Sequence, residues 1–153
     1  MRILTPTRGG EASLPNQDRA IQIAKERGGE LFFLYVTDVS FLDRMASPVL
    51  VDMETEIDEM GEFLLVMAQE RAQKQGLQVQ TLVRRGHFAE VLEAVIQEFE
   101  IDMLILGAPA EGALTTMEYL QDLAKRLAEA FGLEAVVLDR GEVAFTVRGE
   151  AKG

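Results

Sequence analysis

Leu31-Phe32-Phe33-Leu34-Tyr35-Val36 is apolar at every position, so a strand built from it has two faces to bury. A sheet with one wet face alternates apolar and polar residues; an unbroken apolar run is what a parallel sheet covered by helices on both sides requires. Met103-Leu104-Ile105-Leu106, closed by Gly107, is a second run of this kind. Ile3-Leu4-Thr5 is a shorter one and stops at Pro6, a residue that cannot donate inside a sheet. Ala135-Val136-Val137-Leu138 is a further strand, and Val79-Gln80-Thr81-Leu82-Val83 is one with partial alternation.

Between these runs the apolar period changes to that of a helix. Ser13 or Asn16 is expected to cap a helix that runs to about Arg27, with Pro15 tolerated in its first turn and Gly28-Gly29 stopping it. Ile21 and Ala24 mark its inner face. An irregular stretch containing Ser47-Pro48 leads into a long helix whose inner face is read as Met53, Ile57, Met60, Leu64, Met67 and Ala72. Met53, Met60 and Met67 recur every seven residues; they could form an adaptable binding stripe, but core filling is the preferred reading. Asp52, Glu54, Glu56 and Asp58 crowd its first turns and Arg71 and Lys74 its last, as the helix dipole favours, and Gly76 ends it. Phe88, Val91, Leu92, Val95, Ile96 and Phe99 stripe a third helix. Leu120, Leu123, Ala124, Leu127, Ala128 and Phe131 stripe a fourth, which Gly132 caps. Strand and helix alternate, and each helix is long enough for a right-handed crossover, so the expected class is α/β with a doubly wound parallel sheet. Val143, Phe145 and Val147 alternate with polar or small residues in a possible extra C-terminal strand. The division expected is an α/β domain over 1–140 and a C-terminal extension over 141–153.

Length and composition remove several classes of function. The 153 residues suit one domain, and 48% apolar with 27% charged residues suits a globular chain. Fifteen bases against 26 acids leave a net charge of -11. Such a surface repels nucleic-acid phosphates and anionic lipid, so neither nucleic acid nor membrane is expected as a partner. There is no cysteine, hence no disulfide framework and no thiolate chemistry. His87 is the single histidine, which excludes a metal site needing two imidazoles. No apolar run approaches the roughly 20 residues that span a bilayer. The opening from Met1 to Pro6 is too short an apolar segment for a signal peptide, and a cytoplasmic protein is expected.

In an open parallel sheet, ligands bind beyond the carboxyl ends of the strands where the strand order reverses. Two loops at such ends are rich in small residues: Thr7-Arg8-Gly9-Gly10-Glu11 and Gly107-Ala108-Pro109-Ala110-Glu111-Gly112. Glycines there let the backbone approach a ligand and aim N–H groups at an anion, although tight strand-to-helix turns are the plainer explanation. Thr7, Arg8, Gly9, Gly10, Arg85, Gly107, Ala108 and Gly112 are the candidate ligand-binding residues. Arg8 could clamp a carboxylate or phosphate, alone or beside Arg85, though an ion pair with Glu11 or another acid is the preferred reading. His87 has no sequence neighbour that supplies a carboxylate partner, and Thr115 and Thr116 are explained as caps of the fourth helix. The acids from Asp52 to Asp58 are read as a solvated helix start, and no metal site is expected.

The opening Ile3-Leu4-Thr5-Pro6-Thr7 with Glu11-Ala12-Ser13, then Gly86, then Asp102-Met103-Leu104-Ile105-Leu106-Gly107, resembles the universal stress proteins, and the order of elements matches to about Arg140. The resemblance implies a five-stranded sheet ordered 3-2-1-4-5, a cytoplasmic location and a homodimer formed at the fifth-strand edge. Val136, Leu138, Val143, Phe145 and Val147 are the residues this places at a dimer interface; the tail strand could cover the edge in its own chain, but an arm to the partner is the preferred reading.

Nucleotide-binding members of that family carry an aspartate two residues after the first-strand proline and a loop of the form G-x-x-G, nine residues, G and a hydroxyl. Here Arg8 stands at the aspartate position, and counting from Gly107 gives Ala110, Leu120 and Gln121. Arg8 cannot accept a hydrogen bond from a ribose hydroxyl, and side chains in place of the glycines hold phosphate away. The expectation is a binding or interaction module without ordinary ATP binding, with no cofactor, no catalysis, and a small-molecule or protein partner the sequence does not identify. A nucleotide-binding protein with a rearranged loop and weak ATPase or switch activity is the alternative, and a small-anion sensor centred on Arg8 a third.

Overall fold

The computed structural model describes residues 1–8, 11–37, 47–108 and 116–150, the side chains of 47–58 excepted. Six strands form one sheet: β1 Arg2–Pro6, β2 Glu30–Thr37, β3 Val79–Arg85, β4 Met103–Gly107, β5 Glu134–Asp139 and β6 Glu142–Arg148. Their order is 3-2-1-4-5-6, with β1 to β5 parallel and β6 antiparallel to β5. Four helices connect them: α1 Leu14–Arg27, α2 Ser47–Lys74, α3 Phe88–Phe99 and α4 Met117–Phe131. The α/β class expected from the apolar runs is the class observed, with the tail added as a sixth strand.

The double-sided strands divide their residues between two cores. Phe32 and Leu34 join Leu4, Leu104, Leu106 and Val137 beneath α3 and α4. Leu31 and Phe33 join Ile3, Met103, Ile105 and Val136 beneath α1 and α2. This is the period of two expected of a strand, with both phases apolar. On the first side the Phe32 and Phe99 rings lie 5.1 Å apart in a tilted pair, a favourable aromatic geometry.

Helix boundaries follow the capping residues with two corrections. Ser13 or Asn16 was expected to cap α1; Ser13 stands at the N-cap position, at the end of a short 3-10 turn, Glu11–Ser13, but makes no side-chain cap bond. Asn16 lies inside the first turn with its side chain engaged elsewhere. Ser47-Pro48, expected in an irregular stretch, are the first two residues of α2; proline is tolerated there because a first-turn N–H has no intrahelical acceptor. Gly28 and Gly132 end α1 and α4 in the left-handed conformation, at φ of 62° and 64°.

The inner face of α2 is only in part the expected one: Ala72 is buried as expected and Leu64 half-buried. Met60 and Met67 are exposed, while Gly61, Leu65, Ala68 and Ala72 are buried against the sheet. Gly61 decides this orientation, since a Cβ there would overlap the Tyr35 ring of β2. Met53 and Ile57 lie outside the described side chains.

Asp139 pairs with Glu142 across a two-residue turn, Arg140-Gly141, both at positive φ of 52° and 83°. Two left-handed residues give the twist that joins antiparallel strands tightly. The end of the tail is pinned as well: Gly149 donates its N–H to the Leu133 carbonyl at 2.9 Å and packs so closely on Ala128 that no Cβ would fit.

Candidate functional site

The strand order reverses between β1 and β4: the chain moves outward through β2 and β3 on one side, then through β5 and β6 on the other. The carboxyl ends of β1 and β4 therefore bound the crevice in which this architecture seats ligands. Beyond β1, Thr7 donates its backbone N–H to the Leu34 carbonyl at 2.8 Å, and its side chain is buried. Four positions separate Ser13 from Gln17, so their side chains lie on one face of the first turn of α1. Gln17 is buried and donates from Nε2 to Thr7 Oγ1 at 2.9 Å and to Ser13 Oγ at 3.3 Å.

At the tip of β4 the neighbour is Asn16. A Cβ on Gly107 would come within 2.8 Å of Asn16 Nδ2, so a larger residue there would shift this side chain from its place against the strand end. Asn16 Oδ1 accepts the Gly141 N–H at 2.8 Å, which ties the first turn of α1 to the β5–β6 turn. Ala108 donates to the Leu138 carbonyl at 2.6 Å. Polar side chains from one helical turn thus touch both strand tips and largely satisfy one another. Their chemistry is that of amides and hydroxyls; none of these groups is an acid, a base or a nucleophile with an activating partner.

The candidates from the sequence fall out as follows. Thr7, Gly107 and Ala108 lie at the crevice. Arg8 is exposed at its rim, and among the described residues it has no ion-pair partner, Glu11 included. Arg85 ends β3, and β2 stands between it and β1, a separation of about 10 Å at two strand spacings. Gly9, Gly10, Ala110 and Gly112 lie outside the described residues. Leu120 was expected to crowd the crevice at the third glycine position. It lies instead inside α4, buried in the core beneath that helix, and adds no bulk at the mouth. Counting across the β4–α4 loop fails because α4 begins before the count is complete. Asn16 and Gln17, the residues that do reach the crevice, were read only as a cap or not at all; the polar pair Asn16-Gln17 directly after Pro15 is the signal they left.

The tail residues divide. Val136 and Leu138 are buried in the core of their own chain, beneath α1, and β6 covers the β5 edge within the same chain. The tail strand was expected as an arm to a partner; it pairs instead with β5 of its own chain, which the two-residue turn at Arg140-Gly141 brings alongside. Phe145 and Val147 pack half-buried against the α4 side, with Lys125 Nζ 5.6 Å from the Phe145 ring centre, while Val143 is exposed. Thr116 caps α4 as expected, its Oγ1 accepting the Tyr119 N–H at 3.1 Å; Thr115 lies outside the described residues. His87 precedes α3 with no side-chain cap bond.

Charges are concentrated in two ion-pair clusters away from the crevice. Glu134 accepts from Arg27 at 2.6 and 3.2 Å and from Arg148 at 3.2 Å, joining α1, β5 and β6. Asp18 accepts a two-pronged bond from Arg71 at 2.6 and 2.7 Å and a third from Gln75 at 2.9 Å. The bonds from Arg27, with Arg148 adding to them, hold the Glu134 carboxyl below its ordinary range against the opposing effect of burial. The bonds from Arg71 do the same for Asp18. An open concavity of about 780 Å³ runs along α1 past Asp18, Lys25, Glu26, Arg71 and Arg140. Two of its cations are engaged within the protein: Arg71 by Asp18, and Lys25 by the Gln75 carbonyl at 2.6 Å. Among the described residues no group of three or more acids or histidines is placed to hold a metal, and no helix is long and apolar enough to cross a membrane.

The chain shares 26% identity over 114 residues with a universal stress protein of Methanocaldococcus jannaschii, covering 74% of this chain and 67% of that one. Among solved structures it is similar to the universal stress protein UspA of Lactobacillus plantarum, with a TM-score of 0.72, 21% identity, and 90% and 97% of the two chains covered. It is similar also to a universal stress protein in complex with cAMP, with a TM-score of 0.63, 22% identity, and 90% and 96% covered. The family model described as the universal stress protein family matches residues 1–131, which hold β1 to β4 and α1 to α4. With that match over most of its length, the chain belongs to the universal stress protein family.

Proposed function

We propose that this chain is a binding or interaction module of the universal stress type that does not take ATP in the family's usual manner. The observation that carries the reading is the occupation of the strand-tip crevice by the protein's own polar side chains: Gln17 bonded to Thr7 and Ser13, and Asn16 lodged against Gly107 and held by Gly141. A nucleotide entering there displaces Asn16 from Gly107, breaks the Gln17–Thr7 bond and leaves polar groups to be re-satisfied. Each hydrogen bond lost without replacement costs about 1–3 kcal/mol. At the rim, Arg8 offers donors where the nucleotide-binding relatives have a carboxylate, so a ribose finds no acceptor in it. Adenine nucleotide therefore does not fit this arrangement, although cAMP is bound by one of the proteins with a similar fold.

A homodimer is part of this reading. With the β5 edge covered, the free backbone groups of β6 form the outer edge that a second copy can extend.

Titration calorimetry with ATP, ADP and AMP in the presence of magnesium tests the reading. No saturable heat is expected up to millimolar nucleotide. Micromolar binding of any of the three overturns it, and an Asn16→Ala, Gln17→Ala variant that gains such binding would show that these side chains are the obstruction.

A further inference from the structure

Four large apolar side chains of α2 face solvent: Met60 is 57% exposed, Phe63 64%, Val66 49% and Met67 51%. Helical spacing makes them one surface. At about 100° per residue, positions 60, 63 and 67 line up and 66 sits beside them, opposite the buried Gly61, Leu65, Ala68 and Ala72. The patch covers two consecutive turns of an ordered helix. Scattered single apolar residues on a surface need no explanation, but a contiguous cluster does.

The charges beside the patch are mostly acidic, with the exposed Lys74 lying seven residues past Met67, beyond its C-terminal end. Glu59, Glu62 and Glu70 are exposed at its ends and flank, and 59–70 contains no lysine or arginine. Arg71, the next residue, is held by Asp18 on the side of α1. A second copy laid on this face would set carboxylates against carboxylates, which destabilises a contact by juxtaposing like charges. Anionic lipid meets the same repulsion. What complements an apolar stripe fenced by acids is an apolar stripe fenced by bases.

We propose that this face of α2 binds a cationic amphipathic helix of a partner protein. Residues 60, 63 and 67 supply the anchors at the spacing by which one helix reads another. Met60 and Met67 supply flexible thioethers that repack against differing apolar faces. Glu59, Glu62 and Glu70 select lysine or arginine beside those faces and speed encounter. The surface is separate from the strand-tip crevice and serves whether or not a nucleotide binds there.

The probe is a fluorescein-labelled 18-residue peptide of leucine and lysine with all leucines on one helical face, read by anisotropy. Two further peptides accompany it: the same composition scrambled, and the same leucine face with glutamate for lysine. The parent protein is expected to bind the first with micromolar Kd, and the other two at least tenfold more weakly. Phe63→Ser with Met67→Ser should weaken binding at least tenfold, while Val143→Ser, which removes an exposed apolar side chain on β6, should not change it. Glu59→Gln, Glu62→Gln and Glu70→Gln together should weaken binding at least fivefold and flatten its salt dependence; this variant leaves the apolar face intact and guards against a serine variant that folds poorly. Equal binding of the scrambled peptide overturns the proposal, because it reports only the overall charge of -11. Unchanged affinity of the Phe63→Ser, Met67→Ser variant overturns it too. So does a dimer, by sedimentation equilibrium, that Phe63→Ser with Met67→Ser dissociates, since the occupant would then be a second copy.

Discussion

α2 and α4 are both long, both amphipathic, and both followed by a glycine at positive φ, yet they meet the sheet with opposite kinds of residue. α4 lays Leu120, Leu123 and Leu127 into the core, with Ala124 and Ala128 between them. Among its described side chains, 59–74, α2 turns Gly61, Ala68 and Ala72 inward with one buried leucine, Leu65, and leaves Met60, Phe63, Val66 and Met67 outside. The first helix is attached by apolar area removed from water. The second packs through small residues, with the Tyr35 ring filling the space over Gly61, and an ion pair to α1 adds to the attachment. Large side chains exposed in both the folded and the unfolded state contribute little to folding, so their presence on α2 calls for a use other than stability.

The largest effect that separates the two helices is expected in α4. Leu127 is wholly buried among Leu123, Ala128 and the β4–β5 strands. Leu127→Ala removes buried methyl groups from a packed site and should cost about 2–5 kcal/mol, read as a shift of the urea midpoint. A loss below about 1 kcal/mol would mean that α4 is not held in the way described.

The contrast also explains which parts of the molecule were legible beforehand. Strands β2 and β4 were, because an apolar residue at every position admits few alternatives, and α3 and α4 were, because their large apolar residues are the buried ones. α2 misled because hydrophobicity was weighed by size: Met60 and Met67 outrank Ala68 and Gly61 on any such measure, and only the Tyr35 ring across the interface reverses the order. The crevice was legible as a place and not as a constellation. Gly107 was found, but its reason, Asn16 from 91 positions earlier, lies in no local pattern. Nor did the sequence say whether the tail strand would cover β5 in its own chain, since Val143, Phe145 and Val147 alternate equally well against either copy.

A smaller effect follows from the ion pair. Asp18 is tied by Arg71, and its carboxyl titrates below the ordinary range. A group whose folded pKa is depressed adds stability that is fully present above its unfolded value, about 3.9, and is lost as pH falls through the folded value. The attachment of α2 should therefore be pH-independent from neutrality down to about pH 4 and weaken below it. Both side chains are more than a third exposed, so solvent screening keeps the contribution to about 0.5–1 kcal/mol. Asp18→Asn should lose that amount at pH 7 and show a shallower decline than the parent between pH 4 and pH 2. Parallel declines in parent and variant would remove the ion pair from the account of how α2 is held.

The smallest expected effect is the most telling. Phe63 is an aromatic residue in the middle of a helix, and by composition alone its loss should rank with that of Leu127. It is nevertheless 64% exposed, and the site it leaves is open solvent with no cavity to form. Phe63→Ser is expected to change the unfolding free energy by no more than about 0.5 kcal/mol. Serine is a slightly poorer helix former than the residues that dominate exposed helix faces, which accounts for any residual loss. The measurement is the same urea titration used for Leu127→Ala, and the ratio of the two results is the quantity of interest. A ratio of about four or more places the apolar face of α2 outside the fold's own energetics and leaves recognition as the reason for it. Comparable losses would put Phe63 back in the core and dissolve the distinction between the two helices.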